Sequence, residues 1–72
     1  MRKKISVIVS CYNEEESLPL FYEEMRKVMA EMSQNDFELI FVNDGSRDNT
    51  LKEIKELRAK DKRVRYISFS RN

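Results

Sequence analysis

Two short apolar runs, "ISVIVS" at residues 5–10 and "FELIFV" at residues 37–42, flank a segment whose apolar residues recur at helical spacing. This switch of period constrains the fold most, because strands repeat every two residues and helices every 3.6. "ISVIVS" is nearly continuous and β-branched, the pattern of a strand covered on both faces. From Ser17 onward, Leu18, Phe21, Met25, Val28 (with Met29) and Met32 fall on one helical face. Ser17 is placed to cap that helix, and Pro19 lies in its first turn, where a missing N–H costs nothing. The helix is expected to end near Ser33-Gln34-Asn35. Methionines at this spacing read as core rather than as an adaptable binding surface.

The second run stops at Asn43-Asp44-Gly45-Ser46, and Leu51, Ile54 and Leu57 then resume helical spacing. Ser46 or Asp48 is expected to cap this second helix, with Glu56 and Lys60 as a favourable i,i+4 pair. "VRYISFS", residues 64–70, supplies a third strand. The predicted fold is α/β: a three-stranded parallel β-α-β-α-β sheet of Rossmann-like topology, its second strand between the other two. In open parallel sheets, ligands bind beyond the carboxyl ends of the strands. Those ends are Ser10-Cys11-Tyr12-Asn13-Glu14, Asn43-Asp44-Gly45-Ser46 and Ser70-Arg71-Asn72, so the polar residues gather where a site belongs.

Composition narrows the chemistry. The 72 residues make one domain at most, with a core of small margin. With 40% hydrophobic and 38% charged residues, the chain reads as a soluble globular segment rather than a disordered one. A net charge of +1 gives no electrostatic reason to expect nucleic acid. There is no histidine, which excludes a His general base, a Ser-His or Cys-His pair and a His zinc ligand. The one cysteine, Cys11, allows no internal disulfide, suits a cytoplasmic setting and reads as a small apolar residue. The basic start Met1-Arg2-Lys3-Lys4 precedes too few apolar residues for a signal peptide or a spanning helix. With one glycine, neither G-x-G-x-x-G nor a P-loop can be written, so phosphate-cradling loops drop out. An acidic phospho-accepting pocket would need an aspartate on a later strand that "YNEEE" does not place.

"VIVSCYNEEESLP" at 7–19, "FVNDGSRDNT" at 41–50 and "ISFSRN" at 67–72 together resemble the N-terminal nucleotide-binding half of inverting, GT-A type family 2 glycosyltransferases. The match is nearest to the polyprenyl-phosphate enzymes, such as dolichol-phosphate mannose synthases and bactoprenol glucosyltransferases, and it covers essentially the whole chain. The resemblance implies that Tyr12 and Glu14, after Ser10 in the position of a usual proline, face the base and ribose. Val42 to Asp44 matches the family's V-D-D stretch, with Asn43 in place of the first acid and Asp44 accepting hydrogen bonds from the base. The chemistry agrees: a tyrosine ring offers a stacking face, and a carboxylate accepts from a ring N–H of uracil or guanine. Asn13 and Arg71 are further candidates, Arg71 for a phosphate. Gly45 then serves the turn, while Asn43 tolerates left-handed backbone angles and reads as structural.

Each residue also has an ordinary reading. Glu14, Glu15 and Glu16 suit an acidic helix start, Tyr12 a rim aromatic, Asp44 an Asx-turn and Arg71 a solvated terminus. The resemblance further implies a D-x-D motif holding magnesium or manganese, an acceptor site and a catalytic base, none of which is in these residues. The chain therefore reads as residues 1–72 of a longer transferase, with no catalytic or metal-binding residue of its own and no transfer activity in isolation. A sheet face and edge left uncovered predict self-association.

Three functions follow. The first is the UDP-sugar- or GDP-sugar-binding part of a hexosyltransferase acting on a polyprenyl phosphate at the cytoplasmic face of a membrane. The second is a relative with a saccharide acceptor. The third is a non-catalytic α/β binding or assembly module with a merely solvated rim.

Overall fold

In a computed structural model the described residues are 2–69. β1 (Lys4–Cys11), α1 (Leu18–Glu31), β2 (Asp36–Asp44), α2 (Thr50–Lys60) and β3 (Val64–Phe69) follow one another in that order. The strands form one parallel sheet, β1-β2-β3, in which Val7 pairs with Leu39 and Phe41 with Tyr66. The predicted order and the central second strand are both present, and each strand begins or ends within a residue or two of its apolar run. Ser70, predicted to end the third strand, lies outside the described residues.

Crossovers of one hand between strands laid down in chain order send both helices to the same face of the sheet. The core forms there. Leu18 and Met29 of α1, Ile54 of α2, Phe37, Leu39 and Phe41 of β2, and Val64 of β3 are buried in one cluster with Cys11. Each such side chain contributes ~1.5–3 kcal/mol by leaving water. Phe21 meets Phe41 edge to face, ring centroids 6.3 Å apart at 82°, the arrangement aromatic quadrupoles favour.

The same topology corrects the reading of "ISVIVS". β1 is not covered on both faces: Ile5, Val7 and Val9 pack on the core, but Ile8 on the opposite face is 69% exposed. Continuous β-branching reports strand propensity, and cannot by itself count the layers on either side. The open face is charged towards the start of the strands, where Lys4 and Arg65 both reach Glu38, at 3.0 and 3.6 Å. Further along it is apolar, with Ile67 and Phe69 about half exposed.

Other expectations shift in detail. Val28 and Met32 lie at the margin of the core, 41% and 40% exposed, while Met29 is buried and Tyr22 packs against the core cluster. α1 stops at Glu31, a little before the predicted end, where the Met32 N–H closes on the Val28 carbonyl at 3.1 Å. Ser17 stands at the N-cap of α1 but makes no capping bond, because its hydroxyl donates to Glu14 Oε2 at 2.8 Å instead. The N-cap of α2 is Asn49, neither Ser46 nor Asp48, and it too makes no side-chain cap. Glu56 and Lys60 form no ion pair among the described residues.

At the opposite end of the sheet, Asp61 closes α2. Its carboxylate accepts the Tyr22 hydroxyl at 2.8 Å, the Arg63 amide at 2.9 Å and both Nε and NH2 of Arg63, at 2.9 and 2.8 Å. Arg58 donates to the carbonyls of Lys62 and Val64, fixing the turn into β3.

Candidate functional site

Neighbouring residues at the end of β2 face opposite ways. Asn43, on the core side, is 2% exposed; its amide donates to Ser68 Oγ at 3.1 Å and its Oδ1 accepts the Ser46 hydroxyl. Asn43 is structural, as expected, but through these bonds rather than a left-handed backbone, since the positive φ angles belong to Asn13 (52°) and Gly45 (69°). Gly45 does make the turn predicted for it. Asp44 is the last residue of β2, paired in register with Phe69, and strand alternation places it with Val42 on the open face.

Ser10 is the register partner of Val42, so Ser10, Val42 and Asp44 share the carboxyl end of that face. Tyr12, Asn13 and Glu14 form the loop beyond β1, with Tyr12 45% exposed. The structure thus brings Ser10, Val42 and Asp44 onto one face and hangs the Tyr12–Glu14 loop above its edge. Arg71 lies outside the described residues.

The rim is shallow. A hollow of about 250 Å³ includes Ser10, Cys11, Glu14 and Ser17 in its lining, and a second of about 350 Å³ runs from Asn13 to Ser17 and across to Asp48. Glu14 lines both. A larger hollow, about 410 Å³, lies beside Glu38, Ile40, Arg65 and Ile67 on the open face, away from the predicted residues. Volume is a poor guide here, because an uncovered sheet face produces hollows of its own, and Glu38 and Arg65 in this one already pair with each other.

Electrostatics separate the groups near the rim. Burial, then the charge of Glu14, pushes the Cys11 thiol up, and its Sγ rests 3.8 Å from the Val9 carbonyl, so it is an inert core residue. For Asp48, burial works to raise the carboxyl, but bonds from Thr50 and from the Glu15 amide outweigh it and hold it below the usual range. Glu53 moves the other way: burial, then the charges of Glu15, Asp48 and Glu56, raise it, and its buried Oε2 has no hydrogen-bond partner.

Four residues whose role the sequence did not show join the two loops at the rim. Ser46, Asp48 and Thr50 accept the backbone amides of Asn13, Glu15 and Glu14, and Asn13 Oδ1 accepts the Arg47 amide. The signal was a density of short polar residues at two strand ends, but nothing in their spacing says which bonds to which. Among the described residues no group of three acidic or cysteine side chains could hold a metal ion. Among them, too, no helix is long and apolar enough to cross a membrane.

Known proteins resemble this chain over nearly all of it. CsbB of Bacillus subtilis, named as a glycosyltransferase, is 47% identical over 68 residues, 94% of this chain and 20% of its own length. The bactoprenol glucosyl transferase of Shigella phage SfX is 42% identical over 96% of the chain and 22% of its own length. The undecaprenyl-phosphate 4-deoxy-4-formamido-L-arabinose transferase of Proteus mirabilis is 43% identical over 96% of the chain and 21% of its own length. The chain thus spans about a fifth of the length of these relatives. The pattern described as "Glycosyl transferase family 2" matches residues 6–72, and with the strand-end motifs in these places the chain belongs to that family.

Proposed function

We propose that residues 1–72 are the nucleotide-sugar-binding part of an inverting glycosyltransferase that transfers a hexose from a UDP- or GDP-sugar to a polyprenyl phosphate. One observation carries the donor half of this reading: Asp44 stands on the open face at the carboxyl end of β2, beside Val42 and Ser10, with Tyr12 and Glu14 in the adjoining loop. A carboxylate there suits a base N–H, and the Tyr12 ring suits the base face. Donor binding at strand ends is what an open parallel sheet provides. The names of the bactoprenol and undecaprenyl-phosphate relatives support a polyprenyl phosphate acceptor; work at the cytoplasmic face of a membrane is part of the same proposal. A saccharide acceptor would leave these 72 residues looking the same. The acids present do not fit a magnesium or manganese site by themselves, so we assign that ion to no residue of this chain.

The test is an NMR titration of the ¹⁵N-labelled chain with UDP and with GDP, repeated on Asp44→Ala. Shifts confined to the neighbourhood of Ser10, Tyr12, Glu14, Val42 and Asp44, and abolished in the variant, are expected. Binding that survives Asp44→Ala, or no shifts at millimolar nucleotide in a folded chain, would favour the non-catalytic module.

A further inference from the structure

Three consecutive amides of the β1–α1 loop find their acceptors in side chains of the β2–α2 loop and the first residue of α2. The N–H groups of Asn13, Glu14 and Glu15 donate to Ser46 Oγ at 3.0 Å, Thr50 Oγ1 at 2.8 Å and Asp48 Oδ2 at 3.2 Å. Bonds also run in the other direction: the Arg47 amide donates to Asn13 Oδ1 at 2.8 Å, and Asn49 Nδ2 to Glu15 Oε2 at 3.2 Å. Such density is unusual, since most backbone amides in folded proteins bond to other backbone groups. The left-handed backbone of Asn13, φ 52°, is held between two of these bonds.

Thr50 is the buried member of the set. It is 0% exposed, and its hydroxyl both accepts the Glu14 amide and donates to Asp48 Oδ1. Asp48 Oδ1 also accepts the Thr50 amide at 2.9 Å, so the carboxylate braces both ends of that residue. Through Ser46 the bonds continue to Asn43 and on to Ser68 of β3. The Tyr12–Glu14 loop is thereby referred to the strand that carries Asp44 as well as to its own helix, where the Leu18 amide donates to the Glu14 carbonyl at 2.9 Å.

We propose that Thr50, braced by Asp48, is a positioning residue: it holds the Glu14 amide so that the two loops present Tyr12, Glu14 and Asp44 as one ligand rim. The effect on ligand rests on the nucleotide reading above; the coupling of the loops does not. A residue that only stabilised the first turn of α2 would matter through its packing, which valine reproduces, and not through its hydroxyl. Thr50→Val removes the hydroxyl at nearly constant shape, and Thr50→Ser keeps it.

Amide hydrogen exchange and UDP titration of the labelled wild type and both variants form the test, with far-UV circular dichroism as the control for folding. Thr50→Val is expected to speed exchange at Glu14 and to weaken UDP binding, each about tenfold, the size of one buried hydrogen bond. Thr50→Ser is expected to restore both. Unchanged exchange at Asn13 to Glu15 in Thr50→Val, or a serine variant that behaves like valine, overturns the proposal. Should Thr50→Val fail to fold, Asp48→Asn decides: faster exchange at Glu14 and Glu15 in a folded chain supports the brace, and unchanged exchange overturns it. If the wild type binds neither UDP nor GDP, the nucleotide reading fails and the exchange data alone decide the coupling.

Discussion

Asp61 gathers four hydrogen bonds at the end of the sheet remote from the ligand rim, and its ionisation is tied to folding. The Arg63 guanidinium is the main influence; against the opposing effect of burial, it and the Arg63 amide and Tyr22 hydroxyl hold the carboxyl at about 2. A folded-state value below the unfolded one means that the unfolded chain binds the proton more readily. The contribution is therefore complete above the unfolded value near 4 and is lost as pH falls towards 2. Asp61→Asn should cost about 2 kcal/mol at pH 7, and urea titrations should show the gap from wild type closing as the pH is lowered. A gap of constant size would indicate lost packing rather than lost charge. UDP affinity should not change, because Asp61 lies on no path to the rim. A short polar side chain before a helix need not cap it when another group competes for its oxygen. Ser17 and Ser46 have the side chains of N-caps, but in the fold their oxygens serve Glu14 and the Asn13 amide, while Asp48 divides its carboxylate between the Glu15 amide and the first amide of α2, that of Thr50.

Along each strand, facing matters more than hydrophobicity. Phe41 and Ile8 are both large apolar strand residues, yet Phe41 is 0% exposed against Phe21 and Ile8 is 69% exposed. Phe41→Ala should cost ~3–5 kcal/mol through the cavity it leaves, whereas Ile8→Ala should stay within about 0.5 kcal/mol. Chemical denaturation measures both, and comparable losses would mean that the open face is covered. The elements themselves were legible because a change of period needs only local sequence: "ISVIVS", "FELIFV" and the Leu18–Phe21–Met25 stripe mark them. Coverage was not, since whether Ile8 meets a helix depends on the path of both crossovers. The rim was legible in part. Asp44 and Tyr12 sit at strand ends that sequence alone locates, while the bonds from Asn13 to Ser46 and Glu14 to Thr50 join residues far apart in the chain.

For the whole molecule, the one-sided core leaves an apolar face carrying Ile8, Ile67 and Phe69, and outer edges of β1 and β3 that pair with no strand among the described residues. Exposed apolar area beside free strand edges favours association. We therefore expect the chain to self-associate, its mass by light scattering rising with concentration. Ile8→Lys with Ile67→Lys should return it towards monomer by placing charges on that face. A monomeric wild type at high concentration would count against this. Of the two sides of β2, moreover, one holds the fold and the other meets what comes from outside. Odd positions such as Phe41 and Asn43 are bound by packing, while Val42 and Asp44 answer to the solvent side. Over generations, recognition can therefore drift by single substitutions at even positions with the core unchanged. A one-residue insertion has no such freedom: it would turn Asp44 inward and Asn43 outward together. What a lineage of such chains can inherit is thus a change of letter in β2, but not a change of count.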